Sequence, residues 1–439
     1  MTAPEAARTW TERRPASLWR NRDYMCWWTG TALSLLGSNV SVVAFPLLVL
    51  FGGGSVLDAG LIAAAERVGA LLSRLWGGAL ADRHPRRAIL IGGPLAQAVL
   101  MGVVAWLVYA GHVVVPVLTA IALVAGLLAG IGSSATLPAM RRLVPREQFA
   151  SRAAQEQGLQ QATQLAGAPL AGLLFGIARW LPFGFDALSF VAASIGIALI
   201  GKPLGPDPDP AAGRRGRGGL VADIRQGLRI VVRQPFLRYT TAWVAVTNLV
   251  GNSVILLGMA LLEQQGHGPR TISVTNAVIL AGGVVGAIVA GRIVAVIGSR
   301  RVFLLGNWAY VFSLGLVALT RTPWQLALAA ALFVFASVPT AAVWEAYVAT
   351  LVPDELSGRV GATTSCAAQS LTWVGALLAG VLADQFGART ALACFAALLV
   401  PFTIANHTAK ALQLMRTPLA RLAELSSDPP QLRRRPVNR

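Results

Sequence analysis

The sequence predicts an all-α integral membrane protein of twelve transmembrane helices, built as two six-helix repeats. Three observations predict it. Of 439 residues, 55% are hydrophobic and only 13% are charged, where soluble domains carry roughly 25% charge. Apolar runs of ~20 residues, enough to cross a bilayer as helices, recur along the whole chain. The second half repeats motifs of the first. A soluble chain of this length would need polar surface for two or three domains, and that surface is missing. Backbone groups in hydrocarbon must bond internally, so the runs are expected to be helices. The alternating ~10-residue strands of a barrel are not seen in the sequence.

The elements follow in chain order. Residues 1–26 are expected to form a cytoplasmic tail carrying Arg8, Arg13, Arg14, Arg20 and Arg22. The apolar run after them is too long for a signal-peptide core and is expected to stay as the first span. Spans one to six are placed at 27–51, 58–80, 88–110, 113–136, 155–177 and 180–201, giving an N-terminal bundle over 27–201. A cytoplasmic linker occupies 202–237. Its first part, KPLGPDPDPAAGRRGRGG, is flexible in composition. Its second part puts Leu220, Ile224, Leu228 and Val231 on one helical face and Arg225, Arg229 and Arg233 on another, the pattern of a helix lying on a membrane surface. Spans seven to twelve are placed at 239–262, 271–295, 301–320, 323–350, 361–384 and 388–410, within a C-terminal bundle over 238–410. Residues 411–439 form a second cytoplasmic tail.

Charge sets the orientation. With the N-terminus inside, the outer loops hold only Arg179, Arg270, Arg321 and Arg389, and span two holds Arg67 and Arg74. Every other one of the 37 bases falls on the cytoplasmic side, which places both termini in the cytoplasm and the protein in the cell membrane. The net charge of +18 is scattered at span ends, so it does not read as a nucleic-acid surface.

Duplication is visible in two motifs. LVPREQFASRA at 143–153 resembles LVPDELSGRV at 351–360, and AGAPLAGLLFG at 166–176 resembles VGALLAGVLAD at 374–384. Pro145 and Pro353, Gly167 and Gly375, and Gly172 and Gly380 are each separated by 208 positions. A shared offset in separate motifs implies a parallel repeat about an axis along the membrane normal.

The loop after span two carries the most specific motif. Gly78, Leu80, Ala81, Asp82, Arg83, Arg86 and Arg87 match the G-x-L-A-D-R-x-x-R-R pattern of the major facilitator superfamily, with Pro85 where a glycine is usual. GRIVAVIGSRR at 291–301 is a weaker copy without the aspartate. Over roughly residues 18–410 the chain resembles the drug/proton antiporter branch that includes siderophore and macrolide exporters. The supporting pieces are LWRNRDYMCWWTGTALSLLGSNV, the two VP loops and IRQGLRIVVRQP. The resemblance implies the major facilitator fold, with Gly78, Asp82, Arg83, Arg86 and Arg87 as a gating latch. It implies that Asp82 caps the start of span eleven around Gly361–Thr364 and that the arginines pair across the halves. It also implies that span two meets span eleven and span five meets span eight. Small residues spaced by four (Gly69, Ser73 and Gly77; Gly282, Gly286 and Ala290; Gly375 and Ala379) mark places where helices approach closely and slide.

Polar residues inside spans are the site candidates, because a buried charge costs at least ~2.5–3.5 kcal/mol at the bilayer centre. Glu66 stands near mid-depth in span two. It either titrates in the central cavity and couples proton flow, or belongs to a structural ion pair with Arg67, Arg74 or another helix. Relatives often carry an acid after the glycine of span one; here the segment is Gly37-Ser38-Asn39-Val40, which has none. Glu345 in span ten either lines the cavity or pairs with a base near the inner end. Asp186 is expected to serve at the start of span six. Gln157, Gln160, Gln161 and Gln164 form one face of span five, as a cavity wall or a hydrogen-bonded seam. Asn39, Trp243, Asn248, Asn252 and Trp344, with Arg67 and Arg74, complete the cavity candidates.

Several classes are excluded. GIALIGKP at 196–203 has Pro203 where a phosphate-binding loop needs Ser or Thr. No metal cluster or Ser-His-Asp set is present in the sequence, and Cys26, Cys366 and Cys394 are isolated. An enzyme is not expected, nor a nucleotide, nucleic acid, metal or cofactor. The expected partners are the lipid bilayer, protons and a small amphipathic substrate, with the protein a monomer. The expected activity is proton-coupled efflux of drugs, antibiotics or siderophores by alternating access, with the proton gradient as energy source. Proton-coupled uptake of a metabolite is one alternative; a receptor or scaffold on the same fold is the other.

Overall fold

The protein is described by a computed structural model covering residues 18–205, 220–352 and 354–417. The described residues contain helices and no strand. Six long helices form the first half: α1 (Arg22–Leu50), α2 (Val56–Arg83), α3 (Arg86–Tyr109), α4 (Val115–Leu143), α5 (Phe149–Ile177) and α6 (Leu181–Ala198). The linker helix α7 (Leu220–Arg233) follows. The second half contains α8 (Pro235–Gln264), α9 (Pro269–Ile297), α10 (Ser299–Leu319), α11 (Pro323–Leu351), α12 (Asp354–Gln369), α13 (Thr372–Phe386) and α14 (Ala388–Thr408).

Local chemistry starts and stops these helices. The Asn21 side chain accepts the Tyr24 N–H at 3.3 Å and so caps α1. Proline stands in the first turn of α4, α6, α8, α9 and α11, where its missing N–H costs nothing. Gly298 and Gly387 each form a one-residue link between helices, at φ 86° and 83°, a conformation that side chains disfavour.

Ten helices are long and apolar enough to cross a membrane, counting α12–α13 from Thr363 as one. The two expected spans outside that set are α2 and α5, which have ample length at 28 and 29 residues. They fall short in apolarity because α2 carries Asp58, Glu66 and Arg67 and α5 carries the glutamine face. Several helices run past the expected span ends, α5 from Phe149 rather than 155. Hydropathy marks the membrane, whereas a helix continues into water.

Span eleven differs more. It is two helices, α12 and α13, broken at Ser370–Leu371. The Ser370 hydroxyl donates to the Ala367 carbonyl at 2.7 Å and the Thr372 hydroxyl to the Gln369 carbonyl at 2.8 Å. The Asn248 amide from α8 donates to the Ala368 carbonyl at 3.1 Å. Carbonyls at the end of α12 thus find partners without a continuous helix.

Packing follows the repeat. In the first half α2 packs on α4, and α6 on α1 and α3. In the second half α9 packs on α11, and α14 on α8 and α10. The halves join through two seams, α2 with α13 and α5 with α9, the pairs the family resemblance implies. The small-residue stripes have another use. Gly69 lies against the Leu123 backbone of α4, and Gly282 and Gly286 lie against Ala331 and Phe335 of α11. These three glycines bind helices within a half, not across the interface between the halves.

The seams lie at one end of the molecule. That end, the short-loop end, carries the connections at 51–55, 178–180, 265–268, 320–322 and 387. The other, the linker end, carries those at 84–85, 144–145 and 298. At the short-loop end Gly60 meets Ala376, Gly380 meets Leu57, and Gly172 meets Ser273. Toward the linker end α5 exposes Ala153, Ala154, Glu156, Gln157, Gly158, Gln160, Gln161 and Ala162. Among the described residues, the close contacts between the halves lie at the short-loop end.

Candidate functional site

Each half encloses a cavity. The larger, 620 Å³, lies in the second half among α8, α10, α11 and α12. Trp243, Tyr310, Phe333 and Trp344 give it aromatic walls, Thr247, Asn248, Asn252 and Gln369 give it polar groups, and Glu345 is the one charged side chain in its described lining. Trp243 is held in place: its Nε1–H donates to Asn307 Oδ1 at 2.5 Å, and its ring lies 4.5 Å from Phe303 between centroids. Asn252 donates to the Asn248 carbonyl at 2.9 Å. Ser365, Ala368 and Gln369 come from the broken end of α12, so the break in span eleven forms part of the wall. Interrupted helices commonly serve this purpose in transporters.

The first-half cavity, 530 Å³, runs among α1, α3, α4, α5 and α6. At its linker-end mouth Arg152 pairs with Glu156 at 2.7 Å. Gln160 lines it; Gln157, Gln161 and Gln164 are exposed on the same helix. Deeper in, Ser38, Gln97, Ala129 and Phe190 also line a smaller chamber of 180 Å³ that holds both Glu66 and Asp186. Glu66 forms no ion pair among the described residues; Arg67, half-buried, follows it directly and so turns to another side of α2.

Asp186 was expected at a helix start. Helix α6 starts at Leu181 instead, and Asp186 is buried one turn in, accepting from Ser41 Oγ at 2.6 Å and Ser189 Oγ at 3.2 Å. The sequence signal that could have located it is Gly37: a Cβ there would collide with Ser189 and Asp186, so the glycine lets the α6 carboxylate reach α1. Asn39 serves a seam, with its amide donating to Leu35 O at 2.8 Å and Thr163 Oγ1 of α5 at 3.3 Å.

Comparison with known proteins decides the family. The sequence pattern of the Major Facilitator Superfamily matches residues 27–281 and 242–407. The chain belongs to the Major Facilitator Superfamily. It is 28% identical over 406 residues to the "Multidrug efflux pump Tap" of Mycolicibacterium fortuitum, covering 87% of this chain and 93% of the relative. It is 24% identical to "Macrolide efflux protein A" of Streptococcus pyogenes, covering 84% and 91%. Two solved structures share the fold. The nucleoside transporter NupG gives a TM-score of 0.65 at 11% identity, covering 90% of this chain and 99% of its own. A bacterial homologue of the iron transporter ferroportin, in an inward-facing state, gives 0.61 at 19%, covering 88% and 99%. The fold and family are those of multi-pass membrane transporters, not of enzymes.

The superfamily loop motif can now be placed in part. The side chains of Arg74, Gly78, Asp82 and Arg83 lie outside the described residues, as does Pro353. Gly361–Thr364 is not a helix start: α12 begins at Asp354, so the N–H groups at 361–364 are already inside a helix and offer Asp82 no cap. Arg87 does not pair across the halves. Its Nη2 donates to the Ala198 carbonyl at 2.7 Å, at the end of α6 in the same half. In the weaker copy, Arg300 Nη2 donates to the His407 carbonyl at 3.2 Å, at the end of α14. Both copies place a cation on the C-terminal carbonyls of their own sixth span.

Proposed function

We propose that this protein exports lipophilic organic cations from the cell, driven by protons moving the opposite way. The observation that carries this reading is the second-half cavity: aromatic walls around a single carboxylate, Glu345, suit an amphipathic cation. A drug-sized molecule fits its volume. The naming of two relatives as efflux pumps supports the outward direction. The arginine asymmetry supports cytoplasmic termini, which turns the linker end toward the cytoplasm; the close contacts between the halves among the described residues lie at the other end, an arrangement that suits loading from the cytoplasm. Proton drive is supported by Glu66 and Asp186 inside the membrane.

Glu345 supplies attraction to cargo, the tryptophans supply shape and cation–π contact, and Asn248 fixes the broken helix that forms the wall. Rocking the halves about the two seams would carry cargo from one side to the other. The test uses purified full-length protein in proteoliposomes, with ethidium and erythromycin as probes. An imposed pH gradient is expected to drive both uphill, and movement that ignores the gradient would overturn the proton claim. Glu345→Gln is expected to raise the apparent KM for ethidium about ten-fold, the effect of losing one ~1.4 kcal/mol charge contact; an unchanged KM would remove Glu345 from the cargo site.

A further inference from the structure

Asp186 is the most fully enclosed carboxylate of the described membrane core, at 2% exposure, and cargo binding in the other half makes no use of it. Its surroundings are built. Ser41 and Ser189 donate to it at 2.6 and 3.2 Å, and Ser38 lines the same chamber. Gly37 leaves the space it occupies against α1. Across the 180 Å³ chamber stands Glu66, from α2.

The chamber opens into a neighbouring cavity. Through Ser38 and Gln97 it adjoins the first-half cavity, which continues to Arg152 and Glu156 at the linker end. On the opposite side Phe45 of α1 packs on Phe183 of α6, with ring centroids 4.9 Å apart. Polar walls lead in, and an aromatic pair closes the far side. This is the form of a well ending on two acids.

We propose that Asp186 and Glu66 together form the proton-carrying site, reached through this well from the linker end in one orientation and from the far side in the other, so that protons use the first half and cargo the second. The inference rests on the proton-coupled reading above and assigns its residues. In one orientation a proton from water binds a carboxylate oxygen of the pair. In the other orientation the same O–H bond breaks and the proton leaves to water on the far side. Two carboxylates sharing one chamber favour holding one proton between them, since both cannot easily stay charged. The charged groups around Asp186 are Glu66 and, beside it on α2, Arg67. The polar groups that α1 brings to the chamber are Ser38 and Ser41, α3 brings Gln97, and α4 brings only alanines, Ala122, Ala125 and Ala129. The serine after Gly37 carries no acid, and a carboxylate from α6 reaches the same place.

The test compares pH-driven uphill uptake of ethidium with its counterflow at equal pH, in proteoliposomes of full-length protein. If wild type shows counterflow but no uphill uptake, proton coupling itself is wrong, and this assignment falls with it. If wild type is coupled, Asp186→Asn is expected to lose uphill uptake at least ten-fold while counterflow falls about two-fold or less, as for a step that removes coupling and spares binding. Uphill uptake near the wild-type level in Asp186→Asn would overturn the assignment. Should that variant fail to fold, Ser41→Ala decides. It removes a donor to the carboxylate and is expected to move the pH midpoint of uphill uptake to higher pH; an unchanged pH profile would equally overturn the proposal.

Discussion

The two seams between the halves descend from one repeated element, yet they hold by different means. Gly172 of α5 and Gly380 of α13 occupy equivalent positions, and each admits a helix of the other half at close range. One turn further the copies diverge: Gly176 stands opposite Asp384. Asp384 receives the Val56 and Leu57 N–H groups of α2 at 3.0 and 3.2 Å. It therefore caps the start of a helix in the other half, where a negative charge is favoured. Gly176 only makes room for the Arg270 side chain, at the start of α9. One seam is latched by charge and hydrogen bonds; the other is a fitted contact. Duplication preserved the close approach and let one copy acquire the latch.

The contrast can be broken from the strong side first. Gly380→Leu drives a side chain into the backbone of Leu57, which cannot turn aside. The effect should sit at the upper end of the ~1–3 kcal/mol typical of overpacking. Spin labels at His112 and Arg321 are expected to show the short-loop end opened, with transport largely lost. Gly172→Leu meets Ser273 Cβ, which moves only with the α9 backbone, and should cost about as much. Asp384→Asn comes next. Weakening the cap should cost about 1–2 kcal/mol, shifting the closed population roughly five- to thirty-fold, visible in the same label distances. Smallest is Gly176→Asp, which adds a carboxylate beside Arg270 and α9 and makes the second seam resemble the first. A gain of about 0.3–1 kcal/mol toward closure is expected, fading in high salt.

The architecture was legible because the bilayer imposes it. Length and apolarity mark ten helices, and the repeat supplies reasons for α2 and α5, whose polar residues hide them from hydropathy. Residues that make contacts across helices were harder. Asp186 follows Leu181-Pro182 closely enough to look like a helix-start residue, and only the opening at Gly37 brings it into the core. Arg87, after span two, looked like a cross-half partner because its charge was visible and its acceptor was not. The acceptors of Arg87 and Arg300 are backbone carbonyls, which leave no mark in a sequence. The break in span eleven lies in an apolar run with hydroxyls on both sides of it, and hydroxyls are equally at home in an intact helix. Glu345 was placed among the candidates for its cost in lipid and Trp243 and Trp344 as weaker ones, and the fold brings all three to one cavity.

The interrupted span has a mechanical consequence. Its upper rod, α13, is fastened to α2 across the seam, while its lower rod, α12, packs on the linker helix α7. The cavity wall at Ser365–Gln369 belongs to the lower rod. The linker is therefore a tiller for that cavity: α7, with Arg229 and Arg233 exposed, has a direct line to its wall that bypasses both seams.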